Sequence, residues 1–210
     1  ELWAGMAKET AHQIGTPLSS LIGWLEILKL DNVEESTIIE IEKDITRLQT
    51  ITDRFSKIGS EPVLEKRDII EDTKNTVDYL QTRVSQQVVF TFKAPEHPIY
   101  VDINPALHSW TIENLVKNAI DAMKGKGSLN IIISELEDIV KISITDSGKG
   151  IPKNQFTKVF EPGFTTKKRG WGLGLSLTKR IVQEYHKGKI KVAHSEIGKG
   201  TTMQISYKTA

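Results

Sequence analysis

The chain has 210 residues, 38% hydrophobic and 26% charged, which is enough apolar material for one large domain, or one ordinary domain with a small helical appendage, and excludes disorder as the default. Lys plus Arg (28) nearly cancels Asp plus Glu (27), so no global field draws nucleic acid or an anionic membrane, and the absence of cysteine excludes disulfides and thiolate metal sites. No stretch approaches the roughly 18 apolar residues of a membrane span, and the start at Glu1 lacks the basic and apolar regions of a signal peptide, so no membrane segment is expected.

Up to about Leu30, apolar residues recur as Ala4, Ala7, Ala11, Ile14, Leu18, Leu21, Leu25 and Leu28. This alternation of three and four is the heptad seam of a bundle helix. Residues 31–36 carry turn and cap chemistry, and Ile38, Ile41, Ile45, Leu48, Thr52 and Phe55 resume the alternation in a second helix running back antiparallel. Two such helices cannot enclose a core alone. The economical cover is the same hairpin of a twin chain, giving a dimeric four-helix bundle; a hairpin resting on the second domain is the alternative.

The first chemical landmark, AHQIGTPL, lies on the first helix. His12 follows seam residue Ala11 at a heptad site that faces water, so it is displayed rather than packed. Thr16 is one turn further along the same face. Pro17 removes the hydrogen bond that the Gln13 carbonyl would accept, which predicts a bend beside the histidine. A neutral imidazole can attack phosphorus, although one exposed helical histidine, taken alone, is an ordinary surface residue.

From about residue 60 the pattern becomes mixed. Residues 67–83 read as a helix, 87–92 and 99–102 as short strands, and 104–123 as a long helix. Residues 128–135 and 138–145 read as a hairpin, 172–185 as a helix, and 189–193 with 201–206 as a closing strand pair. Helices with a mostly antiparallel sheet predict a two-layer α/β sandwich. The expected division is residues 1–60 and 61–210.

On the long helix, Ile112, Leu115, Val116, Ala119, Ile120 and Met123 form the buried stripe and leave Asn114, Lys117, Asn118 and Asp121 on the other face. Two asparagines four residues apart present hard oxygen donors on one face, suited to a Mg²⁺ that already carries ATP phosphates, and Lys117 is placed to meet a phosphate. The segment DSGKGIP closes the hairpin strand: the Asp146 carboxylate can accept the adenine amino hydrogen, and Gly148 and Gly150 let backbone approach the base. The stretch 160–177, FEPGFTTKKRGWGLGLSL, reads as a lid. Gly170, Gly172 and Gly174 offer amides and a helix start to phosphate oxygens, with Lys167, Lys168 and Arg169 adding positive charge. Finally GKGT, ending at Thr201, turns between strands. No single box decides the matter; their order within about a hundred residues does.

With these boxes in that order, the sequence strongly resembles the sensor histidine kinase family over nearly its whole length. The resemblance implies a dimerisation and histidine phosphotransfer domain followed by a Bergerat-fold (GHKL) ATP-binding domain. The implied reaction is Mg²⁺-ATP-dependent autophosphorylation and transfer to an aspartate of a response-regulator receiver domain. Carried onto these residues, His12 is the phosphoacceptor with Gln13 and Thr16 beside it. Asn118 with Asn114 serves the Mg²⁺ and phosphate site, and Lys117 meets phosphate. Asp146 recognises adenine, and Asp121, Gly148, Gly150, Lys167, Gly170, Gly172, Leu173, Gly174 and Thr201 belong to the nucleotide pocket. Phe160 and Phe164 fall where the family places its lid-anchoring phenylalanines. Trp171 occupies a lid position that is usually small, and Gln13 stands where most members have Glu or Asp. Thr16 is placed to position a water for dephosphorylating the partner. The resemblance also implies a cytoplasmic kinase core, and a chain that begins inside its first helix suggests an upstream sensor or membrane segment. Gyrase-type ATPases share the nucleotide boxes but place a glutamate general base four residues before the Mg²⁺-binding asparagine, where this chain has Asn114. A nucleotide-binding scaffold without catalysis is the reading from another class.

Overall fold

The computed structural model describes residues 2–166 and 174–210. The chain divides into two compact units, Glu1–Pro62 and Val63–Ala210.

The first unit is a helical hairpin of α1 (Leu2–Leu30) and α2 (Glu35–Ile58). Leu18, Leu25, Ile38 and Ile45 form its small core, with Ile22, Leu28, Val33 and Ile41 packed against them. Asn32 makes the turn with a left-handed φ of 55°, which asparagine tolerates better than most side chains, and the Asp31 N–H donates to the Ile27 and Leu28 carbonyls as α1 ends. At the far end of α2, Gly59 lies against α1: a Cβ there would stand 2.8 Å from both the Cβ and the backbone nitrogen of Lys8. The helix α1 continues through Pro17, with the Thr16 and Ser19 hydroxyls donating to the His12 and Gly15 carbonyls at 3.5 and 3.0 Å. Much of the expected seam is buried, at Ala7, Ala11, Leu18, Leu25, Ile38 and Ile45. Seam members Leu21 and Leu48 are 47% and 39% exposed, and Trp24 beside them is 62% exposed. No helix among the described residues is long and apolar enough to cross a membrane.

The second unit runs β1 (Glu65–Asp68), α3 (Ile69–Gln81), β2 (Val88–Lys93), β3 (Tyr100–Ile103), α4 (Pro105–Ala122), β4 (Gly127–Leu136), β5 (Ile139–Asp146), α5 (Gly174–Arg180), β6 (Lys189–Glu196) and β7 (Gly200–Lys208). The main sheet has the order β2-β4-β5-β7-β6, and β1 pairs separately with β3. Among the described residues only β2 and β4 pair in parallel, and the other ladders are antiparallel. Alternate residues such as Leu129, Ile131 and Ile133 of β4 and Val140, Ile142 and Ile144 of β5 are buried. That face carries the helices, through Val77 and Leu80 of α3, Ile112, Leu115 and Val116 of α4, and Val182 after α5. The result is the two-layer α/β sandwich expected from the alternation.

Most element boundaries differ from the sequence reading by one to three residues, and two of these differences bear on how the fold is built. Residues 67 and 68 belong to β1, not to the helix expected over 67–83: they pair with Val101 and Tyr100, and the Asp68 side chain caps α3 by accepting from Ile70 N at 3.1 Å. The expected helix 172–185 is described from Gly174, and its last turn, Ile181–Tyr185, is wound as a π-turn. That turn delivers His186 into the core, where its Nε2 accepts from Asn104 N at 3.0 Å. Asn104 in turn caps α4, its Oδ1 accepting from Leu107 N at 3.1 Å.

Candidate functional site

Helix α4 carries its apolar stripe into the core and presents its other face beside the carboxyl end of β5. A cleft of about 900 Å³ opens there, bounded by α4, the turn after β5, residues 159–166, the start of α5 and the start of β7. Its apolar wall is made by Leu115, Ala119, Ile144, Ile151 and Met203, and its polar groups include Asn118, Asp121, Asp146, Lys149 and Thr201. A mostly apolar cavity with few convergent polar groups suits a flat heteroaromatic ligand.

Asp146 is 7% exposed at the base of this cleft. Gly148 N and Thr201 N both donate to Oδ1, at 2.8 and 3.3 Å. Burial pushes the carboxyl pKa above its ordinary value, and these two backbone donors pull partly back. Both of these backbone bonds fall on the same carboxylate oxygen. The loop beyond is clamped on both sides: Lys149 N donates to Ala122 O at 3.1 Å, and Gly198 N donates to Lys149 O at 2.8 Å. Ser195 ties it to the strand pair, because its Oγ accepts from Ile151 N at 2.7 Å, donates to Gly200 O at 3.0 Å and lies 2.8 Å from Thr201 Oγ1. Gly150 is needed here twice over: its φ is 78°, and a Cβ would run into the Glu196 carbonyl. At Gly148 a Cβ would stand 2.7 Å from the Ala122 carbonyl, so this glycine seats the loop on α4.

The expected nucleotide residues divide in two. Asn118, Asp121, Asp146, Gly150, Gly174 and Thr201 line the cleft, as does Phe164. Asn114, Lys117, Gly148 and Phe160 do not, for separate reasons. The Lys117 amine is held by Glu113 Oε1 at 2.8 Å, one turn back on α4. Phe160 is buried in the core beneath the cleft, and Gly148 packs under Ala122. Asn114 is anchored to α5: its Nδ2 donates to Thr178 Oγ1 at 3.3 Å, while that hydroxyl spends its single proton on Gly174 O at 2.8 Å. Thr178 can therefore only accept from Asn114, which fixes the amide orientation and leaves the Asn114 carbonyl oxygen outside that contact. Lys167, Gly170, Gly172 and Leu173, with Lys168, Arg169 and Trp171, lie outside the described residues.

These residues fit a Mg²⁺ that is shared with phosphate. Among the described residues no group of three or more His, Cys, Asp or Glu could hold a metal by itself. The oxygen donors of Asn118 and Asn114 are of the kind that complete the shell of a cation whose other ligands are phosphate and water. Sequence reasoning missed Lys149, whose amine reaches Thr166 Oγ1 at 2.8 Å across the cleft, and Ser195. Lys149 lay in plain view within DSGKGIP. Ser195 has no local signal, since its partners are 44 and 6 residues away.

In the first unit His12, Gln13 and Thr16 are all exposed on α1. Gln13 Nε2 donates to Glu9 Oε1 at 2.7 Å.

Residues 107–210 match the family described as histidine kinase-, DNA gyrase B-, and HSP90-like ATPase. Sporulation kinase E of Bacillus subtilis is 32% identical over 98% of this chain, and sensor histidine kinase ZraS of Escherichia coli K12 is 31% identical over 95%. The chain spans only 28% and 44% of those relatives' own lengths. The catalytic domain of histidine kinase ThkA superposes with a TM-score of 0.63 at 26% identity, covering 69% of this chain and 95% of that domain. A helical hairpin, a mixed α/β domain with its cleft at an asparagine helix, and these likenesses together place the chain: it belongs to the histidine kinase-, gyrase B- and HSP90-like ATPase family, as a sensor histidine kinase catalytic core.

Proposed function

We propose that the chain binds Mg²⁺-ATP in the cleft of residues 63–210, phosphorylates itself on His12 and passes the phosphoryl group to an aspartate of a response-regulator receiver domain. The observation that carries this reading is the buried Asp146 at the base of an apolar cleft, with both backbone donors on one carboxylate oxygen. Oδ2 accepts the adenine amino hydrogen, Leu115, Ile144 and Met203 flank the ring, and the phosphates extend past Asn118. Asn118 and Asn114 hold Mg²⁺, which neutralises charge on the transferring group. Lys149 and Thr166 stand at the mouth, where they favour anionic oxygens. Phosphoryl transfer has a loose transition state, so positioning and charge carry most of the catalysis. Asn114 has no basic group with which to activate water, and the Glu113 carboxylate beside it is engaged by Lys117, which favours delivery to an imidazole over hydrolysis.

The exposed apolar stripe of Leu21, Trp24 and Leu48 supports dimerisation through the hairpin. Thr16, one turn beyond His12, is placed to orient a water for dephosphorylating the partner. The receiver as partner draws support from a fold relative: ThkA, 24% identical in that structure, is described in complex with response regulator protein TrrA.

The test uses ATP labelled in the γ-phosphate. Acid-labile, alkali-stable label on the chain, chased onto a receiver domain with loss from the chain, is the expected result. Free phosphate with no label on protein is the result of an ATP hydrolase and would replace this reading.

A further inference from the structure

We infer that Glu9 is a positioning residue for His12 and acts through Gln13; this rests on the phosphoacceptor role proposed above. Gln13 is neutral, so by itself it can orient the imidazole but cannot offset the charge that develops when the ring attacks phosphorus. The hydrogen bond on α1 supplies what is missing. A carboxylate only accepts, so the 2.7 Å contact from Gln13 Nε2 to Glu9 Oε1 sets the amide nitrogen toward Glu9 and leaves Oε1 of Gln13 as its acceptor for the adjacent His12. Glu9 and Gln13 are four residues apart, one turn along the same face, and all three side chains are exposed. Negative charge on Glu9 polarises the amide and makes its carbonyl oxygen a stronger acceptor, as coupled hydrogen bonds do. The pair thus does in two residues what a single carboxylate after the histidine would do in one.

In the reaction, the Nε2 lone pair of His12 forms the N–P bond. The bond from the γ-phosphorus to the bridging oxygen breaks, and its electron pair leaves on ADP. The Nδ1 proton stays in its hydrogen bond to Gln13 Oε1 through the charged transition state and passes to water afterwards. Neither Gln13 nor Glu9 removes it.

The experiment uses the 210-residue chain in single-turnover autophosphorylation at saturating Mg²⁺-ATP. Glu9→Gln keeps an acceptor for Gln13 Nε2 and removes only the charge; it should slow the reaction roughly fivefold, the order expected when a charge-assisted hydrogen bond becomes neutral, with nucleotide affinity unchanged. In a Gln13→Ala background the same change should have almost no effect, and the exchange Glu9→Gln/Gln13→Glu should restore the native rate or exceed it. Nitrogen-15 NMR of His12 in the nucleotide-free chain gives a readout that does not need kinase activity: the Nδ1–H tautomer should be enriched in the native chain, reduced in Glu9→Gln and reduced further in Gln13→Ala. An unchanged rate and tautomer ratio in Glu9→Gln would overturn the inference, as would equal slowing with and without Gln13. A chain that takes no label while the tautomer bias follows Glu9 would instead count against the proposed function alone.

Discussion

In the proposed function Asp146 gives up stability for recognition of adenine. Its pKa is raised mainly by burial, so the folded state favours the protonated acid. The associated stability is fully present below the ordinary carboxylate pKa and is lost as pH rises through the raised value, so ionising this buried carboxyl costs the fold stability. Asp146→Asn should therefore leave the melting temperature at pH 7 equal or higher while ATP affinity falls by about 10–100-fold, the value of a hydrogen bond to a charged acceptor. Thermal melts and nucleotide titration check both halves together. A second residue-scale expectation concerns Thr178, which orients Asn114. Thr178→Val frees that amide to turn, so the Mg²⁺ concentration for half-maximal nucleotide use should rise severalfold with adenine binding intact, as a titration of Mg²⁺ against labelling would show. The sequence pointed to Asp146, Asn118, Gly150 and Thr201, which all line the cleft, because an acid at a strand end, an asparagine within a helix and the residues of glycine turns stand out in their local pattern. Ser195 and Thr178 were not, since a hydroxyl on a strand or helix acquires its role only from partners that the fold brings to it.

At the scale of elements, the hairpin is half covered. Its internal core holds Leu18, Leu25, Ile38 and Ile45, yet Leu21, Trp24 and Leu48 remain exposed along the same two helices. A twin hairpin packed on that stripe would bury them, so sedimentation should report a dimer, and Leu21→Asp should weaken it at least tenfold by placing a charge in the seam. A native chain that sediments as a monomer at micromolar concentration would contradict the bundle. The heptad alternation made both helices legible, because a long periodic pattern is hard to mistake, although α2 begins at Glu35, inside the expected turn, and runs on to Ile58. The start of α3 was misread for the opposite reason: Arg67 and Asp68 carry helix-compatible side chains, and only pairing with Val101 and Tyr100 makes them strand. The π-turn after α5 was equally hidden, because it is driven by the burial of His186 against Asn104.

The proposed transfer requires the γ-phosphate of a nucleotide held in the cleft of the second unit to reach the exposed His12 of the first. The cleft is only as sound as its core, which contains two buried histidines. Burial, and then the neighbouring His186, depress His108 to about 3, and burial depresses His186 to about 4. Both are neutral when folded and ordinary when unfolded. Their contribution is present above the unfolded value near 6.5 and is lost as pH falls from there toward the folded values, at about 1.4 kcal/mol per pH unit for each proton taken up. The free energy of unfolding in denaturant should thus fall as pH is lowered from 6.5 to 5, and His108→Leu should halve that slope.

The central claim is that His12 receives the phosphoryl group from ATP bound in the other unit. The direct measurement compares the native chain and His12→Ala, with γ-labelled ATP and nucleotide affinity determined on the same samples. The account predicts acid-labile label on the native chain, none on His12→Ala, and affinities within about twofold because the proposed nucleotide cleft lies in the second unit, lined by residues between Leu115 and Met203. Acid-labile label retained by His12→Ala would contradict it.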